Sequence, residues 1–158
     1  MERLWAPWRM AYILETRQPG CFLCDIVQTS RDEDNLVLER GEHTMLLMNR
    51  YPYNNGHLMV APYQHMDALE GLRPEALSEL MALCVRGCSR LRQALRPHGF
   101  NVGLNLGAAA GAGLKEHLHL HIVPRWEGDT NFMPVLAEVK VIPQSLGELW
   151  RQLKEVPA

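Results

Sequence analysis

The residues of this chain best suited to chemistry are His117, His119 and His121, set in strict alternation with Leu118, Leu120 and Ile122. Side chains along a β-strand point to opposite faces with a period of two. The alternation therefore predicts a strand with three imidazoles on one open face and three aliphatic residues buried on the other. Three ionisable rings on such a face point to phosphate chemistry or to metal binding. A rise of ~3.4 Å per residue sets successive histidines about 7 Å apart and the outer two about 13 Å apart, too far for one ion to hold all three easily. Two neighbouring rings can still converge on one metal, which leaves another for catalysis.

Cys21-Phe22-Leu23-Cys24 has the spacing of one zinc knuckle, which needs two further ligands to close a tetrahedral site. Buried free thiols and a redox dithiol are the alternatives. Cys84 and Cys88 lie one helical turn apart on an apolar face and read as core thiols. Ahead of the histidines, Gly103, Asn105, Gly107, Gly111 and Gly113 form a stretch where small residues let backbone N–H groups approach phosphate oxygens. It has neither the Gly-Lys-Ser/Thr of a P-loop nor the strand-GxGxxG-helix context of a dinucleotide fold. His57 follows the turn Asn54-Asn55-Gly56 and begins a strand, where it either supports a catalytic floor or serves as a core histidine. His43 and His98 sit in polar turns and read as turn residues.

The elements that position these residues follow from hydrophobic patterning. The runs Leu36 to Leu38, Thr44 to Asn49 and Leu58 to Ala61 are short and bounded by Gly, Asn, Asp and Pro, so they predict successive antiparallel strands. From Pro74 to about Arg96, the residues Leu77, Leu80, Met81, Cys84, Val85, Cys88, Leu91 and Leu95 fall at helical spacing. Pro74 suits the first turn of that helix, and acids lead it while arginines follow, which matches the macrodipole. Phe100 to Leu106 predicts a further strand, hairpin neighbour to the histidine strand across the loop Gly107 to Gly113. Leu146, Leu149, Trp150 and Leu153 predict a C-terminal surface helix within 145–157. Residues 1–20, with Leu4-Trp5-Ala6-Pro7-Trp8-Arg9, predict an irregular arm. The expected fold class is α+β, a mainly antiparallel sheet of about five strands packed by one long helix and a C-terminal helix.

The chain has 158 residues, 47% of them hydrophobic and 22% charged, with a net charge of -2, which fits one domain without the basic field that grips nucleic acid. No run approaches the ~18 apolar residues of a membrane span, and Arg3, Arg9 and two tryptophans stand where a signal peptide would place its apolar core. The expectation is a cytoplasmic protein without a membrane or nucleic-acid partner, whose four cysteines are thiols or metal ligands.

The row His117-x-His119-x-His121 followed by aliphatic residues resembles the signature of the histidine-triad (HIT) superfamily of nucleotide hydrolases and transferases. Met48-Asn49-Arg50-Tyr51-Pro52, then Gly56-His57-Leu58-Met59-Val60-Ala61-Pro62 and His65, resembles the superfamily's second block, and Asn101 to Leu106 its phosphate-loop strand. The string Glu116 to Val135 and the Leu4 to Arg9 opening resemble the branch of diadenosine tetraphosphate phosphorylases and hydrolases. The resemblance implies a single HIT domain over 1–158 with a catalytic row of His117, His119 and His121, in which His119 attacks an α-phosphorus and His121 hydrogen-bonds a phosphate or bridging oxygen. It also implies that Asn105 contacts phosphate beside Gly111 and Gly113, and that Asn49 binds the ribose hydroxyls. A turn residue and a strand-end cap are the plain alternatives for those two asparagines. Trp126 and Arg125 flank a second nucleotide or phosphate, or else simply pack. Related proteins pair a CxxC with later histidines, so Cys21, Cys24, His65 and His117 are implied ligands of a structural zinc.

The expected activity is cleavage of a diadenosine polyphosphate through a nucleotidyl-histidine intermediate, by phosphorolysis or hydrolysis, in a homodimer. A purine nucleoside phosphoramidate hydrolase and a non-catalytic nucleotide-binding or scaffold protein are the alternatives. Many relatives carry Gln and Ser or Thr shortly before the triad, whereas this chain has Gly111-Ala112-Gly113-Leu114.

Overall fold

A computed structural model describes residues 20–129 and 141–157. The predicted N-terminal arm, apart from Gly20, and the string from Thr130 to Val135 lie outside the described residues. Five strands, β1 (Val37–Arg40), β2 (Thr44–Met48), β3 (Leu58–Pro62), β4 (Gly99–Leu104) and β5 (Leu120–Arg125), form one sheet in the order β1-β2-β3-β5-β4. Every neighbouring pair is antiparallel. Among the described residues three α-helices accompany them: α1 (Phe22–Val27), α2 (Pro74–Leu95) and α3 (Leu146–Glu155). The α+β architecture and its long helix are as the patterning predicts.

Strands β2 and β3 are covered on both faces. Leu46, Met48, Leu58 and Val60 join Leu120 and Ile122 under Leu80, Leu83 and Leu91 of α2, with Leu149 and Leu153 of α3 beside them. The alternate residues Val37, Met45, Leu47, Met59 and Ala61 pack on the other side against Leu23 and Ile26 of α1. Burying one such leucine contributes roughly 1.5–3 kcal/mol, so the alternation of β2 and β3 fixes their register firmly. Gly87 of α2 lets the helix approach the sheet, because a Cβ there would lie 3.0 Å from Ile122 and 3.2 Å from Leu46.

Helix α1 is an element that apolar periodicity does not reveal. It is only 6 residues long, too short to display a period, yet it carries the CxxC. Because α1 covers β1 to β3, the face of β5 and β4 beside it is left for the histidines. His121 pairs across the sheet with Met59 on one side and Gly103 on the other, where a Cβ would meet no atom within 4 Å.

The β1–β2 turn is tied to α2 through one carboxylate. Glu79 accepts from the backbone amides of Glu42, His43 and Thr44 and from Thr44 Oγ1, the last at 2.6 Å. Burial alone would raise its pKa, but these bonds outweigh it and hold the group below the ordinary carboxylate value. Among the described residues no helix is long and apolar enough to cross a membrane.

Replacing Glu79 by Ala leaves four donors without their acceptor and is expected to cost about 1–3 kcal/mol in denaturant unfolding near neutral pH. Because the folded-state pKa is lowered, that contribution is present above the ordinary carboxylate value and fades as the pH falls through it. A Glu79→Ala chain as stable as the parent near pH 7 would contradict the clasp.

Candidate active site and metal cluster

Strand pairing in β5 begins at Leu120, so of the three histidines only His121 lies within the ladder. His117 and His119 precede it in an irregular segment, which corrects the expectation of one continuous histidine strand. The open face is corrected as well, since His117, His119 and His121 are 0%, 8% and 7% exposed. Each ring is enclosed by partners that the strand alternation alone does not display.

His117 points toward α1. Its Nδ1 lies 3.1 Å from Cys21 Sγ and 3.5 Å from Cys24 Sγ, and Cys24 Sγ is 3.3 Å from His65 Nδ1. One ligand atom from each of Cys21, Cys24, His65 and His117 falls within 4.8 Å of all the others. Bonds of ~2.0–2.3 Å around a tetrahedral zinc would set its ligands about 3.3–3.8 Å apart, so the donor set and its spacing fit such an ion. His117 Nε2 donates to the Pro62 carbonyl at 2.8 Å, which leaves Nδ1 with its lone pair facing the cluster. Burial, and then nearby His65 and His119, lower the His117 pKa against the opposing bond to Pro62, and so favour the neutral ring that a metal requires.

The backbone of His117 serves the next histidine. Its carbonyl lies 2.8 Å from His119 Nδ1, so that nitrogen carries the proton and Nε2 keeps its lone pair. The His119 and His121 rings meet edge-on with centroids 4.7 Å apart. His121 Nδ1 in turn lies 2.9 Å from His57 Nε2, and the Asn105 amide nitrogen lies 3.4 Å from His121 Nε2. The structure thus brings together His119, His121, His57 and Asn105, and holds His117 at the junction with the cysteines.

Asn49 ends β2 beside this group. Its backbone amide donates to the His57 carbonyl, and its side-chain oxygen accepts from the Tyr51 amide at 2.8 Å, so the strand-end cap expected as an alternative is present. Gly111 lies in the exposed loop after a 3-10 turn at Ala108–Ala110, with a φ of 85° that favours glycine. Gly113 has open space around its Cβ position, so packing does not require glycine there. Trp126 is not brought to the group. It follows β5 at the end remote from His119, about 20 Å along an extended chain, in a turn where its amide donates to Asp129.

Two contributors escape the sequence reading. Tyr53, half exposed, lays its ring 4.5 Å from that of His57 and 5.6 Å from that of His121, and its backbone amide donates to His57 Nδ1 at 3.1 Å. Asn54 bridges the Pro124 carbonyl and Asp129, whose carboxylate also accepts two hydrogen bonds from the Arg125 guanidinium. Their only signal is position within the turn before His57, because apolar patterning does not extend to turns. Burial first, then nearby His121 and His119, push His57 down to about 3, and burial and then His119 push His121 down to about 4.

Comparison with known proteins places this arrangement in context. The pattern described as the HIT domain matches residues 30–128. A protein of Mycobacterium tuberculosis named AP-4-A phosphorylase is 45% identical over 162 residues, covering 97% of this chain and 83% of its own. A HIT-like protein of Mycoplasma genitalium is 32% identical over 113 residues, covering 72% of this chain and 78% of its own. Among solved structures, a zinc-bound histidine triad family protein from Mycobacterium smegmatis superposes with a TM-score of 0.68 at 28% identity, over 85% of this chain and 91% of that one.

The buried neutral pair carries a pH signature. His57 and His121 bind fewer protons folded than unfolded between about pH 4 and the ordinary histidine value of 6.5. Stability therefore falls on acidification through that window, by up to about 1.4 kcal/mol per pH unit for each ring. Denaturant unfolding at about pH 7 and pH 5 measures the slope, and His57→Gln is expected to remove a substantial part of it. An unchanged slope in that variant would contradict the burial of a neutral His57.

Proposed function

The chain belongs to the HIT domain family, and on that premise we propose that it cleaves diadenosine polyphosphates, diadenosine tetraphosphate among them, by phosphorolysis through a nucleotidyl-His119 intermediate. The observation that carries the reading is the bond from His119 Nδ1 to the His117 carbonyl, which aims an unprotonated Nε2 away from the backbone. The name of the relative at 45% identity supports both the substrate and phosphate as the acceptor. His119 Nε2 attacks the α-phosphorus, and the electron pair of the broken P–O bond leaves with ATP. Inorganic phosphate then attacks the same phosphorus from the opposite side, releases His119 and forms ADP. His121 holds the bridging oxygen as charge develops there. Asn105 and the amides around Gly111 and Gly113 take the phosphate oxygens, and Asn49 takes the ribose.

Zinc is the metal we assign to Cys21, Cys24, His65 and His117, supported by the zinc-bound relative and by the two-thiolate, two-imidazole donor set. When bound it fastens α1 to the segment ahead of β5. Thiolate ligands persist in a reducing compartment, which favours a cytoplasmic setting. A homodimer joined along β4 completes the reading. That strand is one of the sheet's two edges, Val102 is 46% exposed on it, and the exposed stripe Leu77, Met81 and Val85 runs along α2. Arg92 of the same helix reaches over Phe100 of β4, which places this side of α2 next to the edge.

The purified chain given diadenosine tetraphosphate is expected to release ADP and ATP only when inorganic phosphate is present. AMP and ATP without phosphate would instead mean hydrolysis. His119→Ala is expected to fall below about one-thousandth of the parent rate while still binding nucleotide, and near-parental turnover would remove the nucleophile assignment. Metal analysis of protein purified without chelators should find close to one zinc per chain, and sedimentation should give the mass of a dimer.

A further inference from the structure

His57 has no lone pair or proton to offer a substrate, because both of its ring nitrogens are engaged inside the protein. Its Nδ1 faces the backbone amide of Tyr53 at 3.1 Å, and its Nε2 faces His121 Nδ1 at 2.9 Å. A backbone amide can only donate. His57 Nδ1 must therefore be the bare nitrogen and Nε2 the protonated one, and that proton points at His121 Nδ1. His121 Nδ1 must then be bare too, which leaves its single proton on Nε2, the atom that faces Asn105 and the nucleophile's side of the site. The direction of the whole chain is set by one peptide N–H.

We infer that His57 is a positioning residue which locks His121 as an Nε2–H hydrogen-bond donor, and that His121 keeps this proton throughout the reaction, so the site accepts weakly basic leaving groups and rejects amines. The inference rests on the nucleotidyl-transfer reading above.

Proton bookkeeping supports it. Two neutral rings share two N–H protons, and the chain ends at an amide that has none to replace a proton given away. If His121 passed its Nε2 proton to a leaving group, it would become an imidazolate or draw the proton from His57 and leave an imidazolate there. If His121 instead began as an imidazolium, its Nδ1–H would confront the Nε2–H of His57. Turning the His57 tautomer to relieve that contact would set a second N–H against the Tyr53 amide. Burial of both rings opposes the charge as well. In the balanced step, His119 Nε2 forms the N–P bond, the P–O bond breaks, and the phosphate oxygen leaves with its electron pair as an anion. The His121 proton remains on nitrogen and bonds that oxygen.

Among the described residues, the groups set against His121 include no carboxyl or ammonium group that could replace its proton. They are His57, His119, Tyr53 stacked over the rings, and the Asn105 amide, with Met59 and Gly103 as strand partners. The loop from Gly107 to Glu116 contains no hydroxyl. A polyphosphate departs readily as an anion, whereas an alkylamine has to be protonated to leave. A protonated Nε2 also requires Asn105 to turn its oxygen toward His121, which frees its NH2 for a phosphate.

Long-range nitrogen–proton NMR of the full chain, labelled at histidine, reads the tautomers without any substrate. Both His57 and His121 should be protonated at Nε2 and bare at Nδ1 near pH 7, and a charged or Nδ1-protonated His121 would overturn the inference. His57→Phe should lose this signature and lower kcat about 100-fold on diadenosine tetraphosphate with KM changed less than about threefold. His57→Gln, whose amide NH2 can still donate to His121 Nδ1, should recover at least about tenfold of the loss, and no recovery would count against the lock. The parent chain should cleave adenosine 5'-phosphoramidate esters of alkylamines at least about 1000-fold more slowly than diadenosine tetraphosphate, and rates within tenfold would overturn the retained proton. Turnover of neither substrate would sink the catalytic reading and the leaving-group limit together, while the tautomer result would still decide the lock.

Discussion

The site hangs on His117, a residue that takes no part in bond-making in the reaction described. Its ring joins Cys21, Cys24 and His65, its Nε2 grips the end of β3 at Pro62, and its carbonyl holds His119. Three separate parts of the chain therefore meet in one residue. A change in where α1 sits is transmitted to His119 through a single side chain and its own peptide group. Such a junction tolerates little play, which accounts for its complete burial.

The second organising constraint is the unequal cover of the sheet. Among the described residues, α2 and α3 close one face, while the 6-residue α1 closes only part of the other. A longer α1 would bury the histidines under apolar side chains, and a missing one would leave Met45, Leu47 and Met59 in water. The site occupies the boundary between the covered and uncovered parts of that face, where burial is high enough to keep His57 and His121 neutral yet Gly103 leaves room beside them.

Much of this was legible in the chain itself. The alternation of β2 and β3, the 22-residue α2 and the antiparallel pairing all follow from periodicity, because each buries a face large enough to impose a period. Cys21, Cys24, His65 and His117 were legible as a set only through resemblance, since Cys24 and His117 lie 93 residues apart and no local pattern joins them. What stayed hidden is of one kind. The Pro62 carbonyl, the Tyr53 amide and the His117 carbonyl are backbone groups, present at every position and marked by no residue type. The burial of the histidine row was hidden for a related reason, because alternation shows which side a ring leaves from and not what arrives to cover it. Trp126 follows the far end of β5, away from the histidines, in a turn where its amide donates to Asp129.

The turn from Asn49 to His57 is fastened to β5 twice, by His57 on His121 and by Asn54 on the Pro124 carbonyl, with Asp129 and Arg125 bracing the second point. Fixed at both ends, it behaves as a cassette in which Asn49 and His57 shift as one body. A turn grafted from a relative would bring its function across only if Asp129 and Arg125, or equivalents, came with it. Sequence drift on the two sides of this bracket is therefore expected to be correlated, although Asn54 and Asp129 stand 75 residues apart.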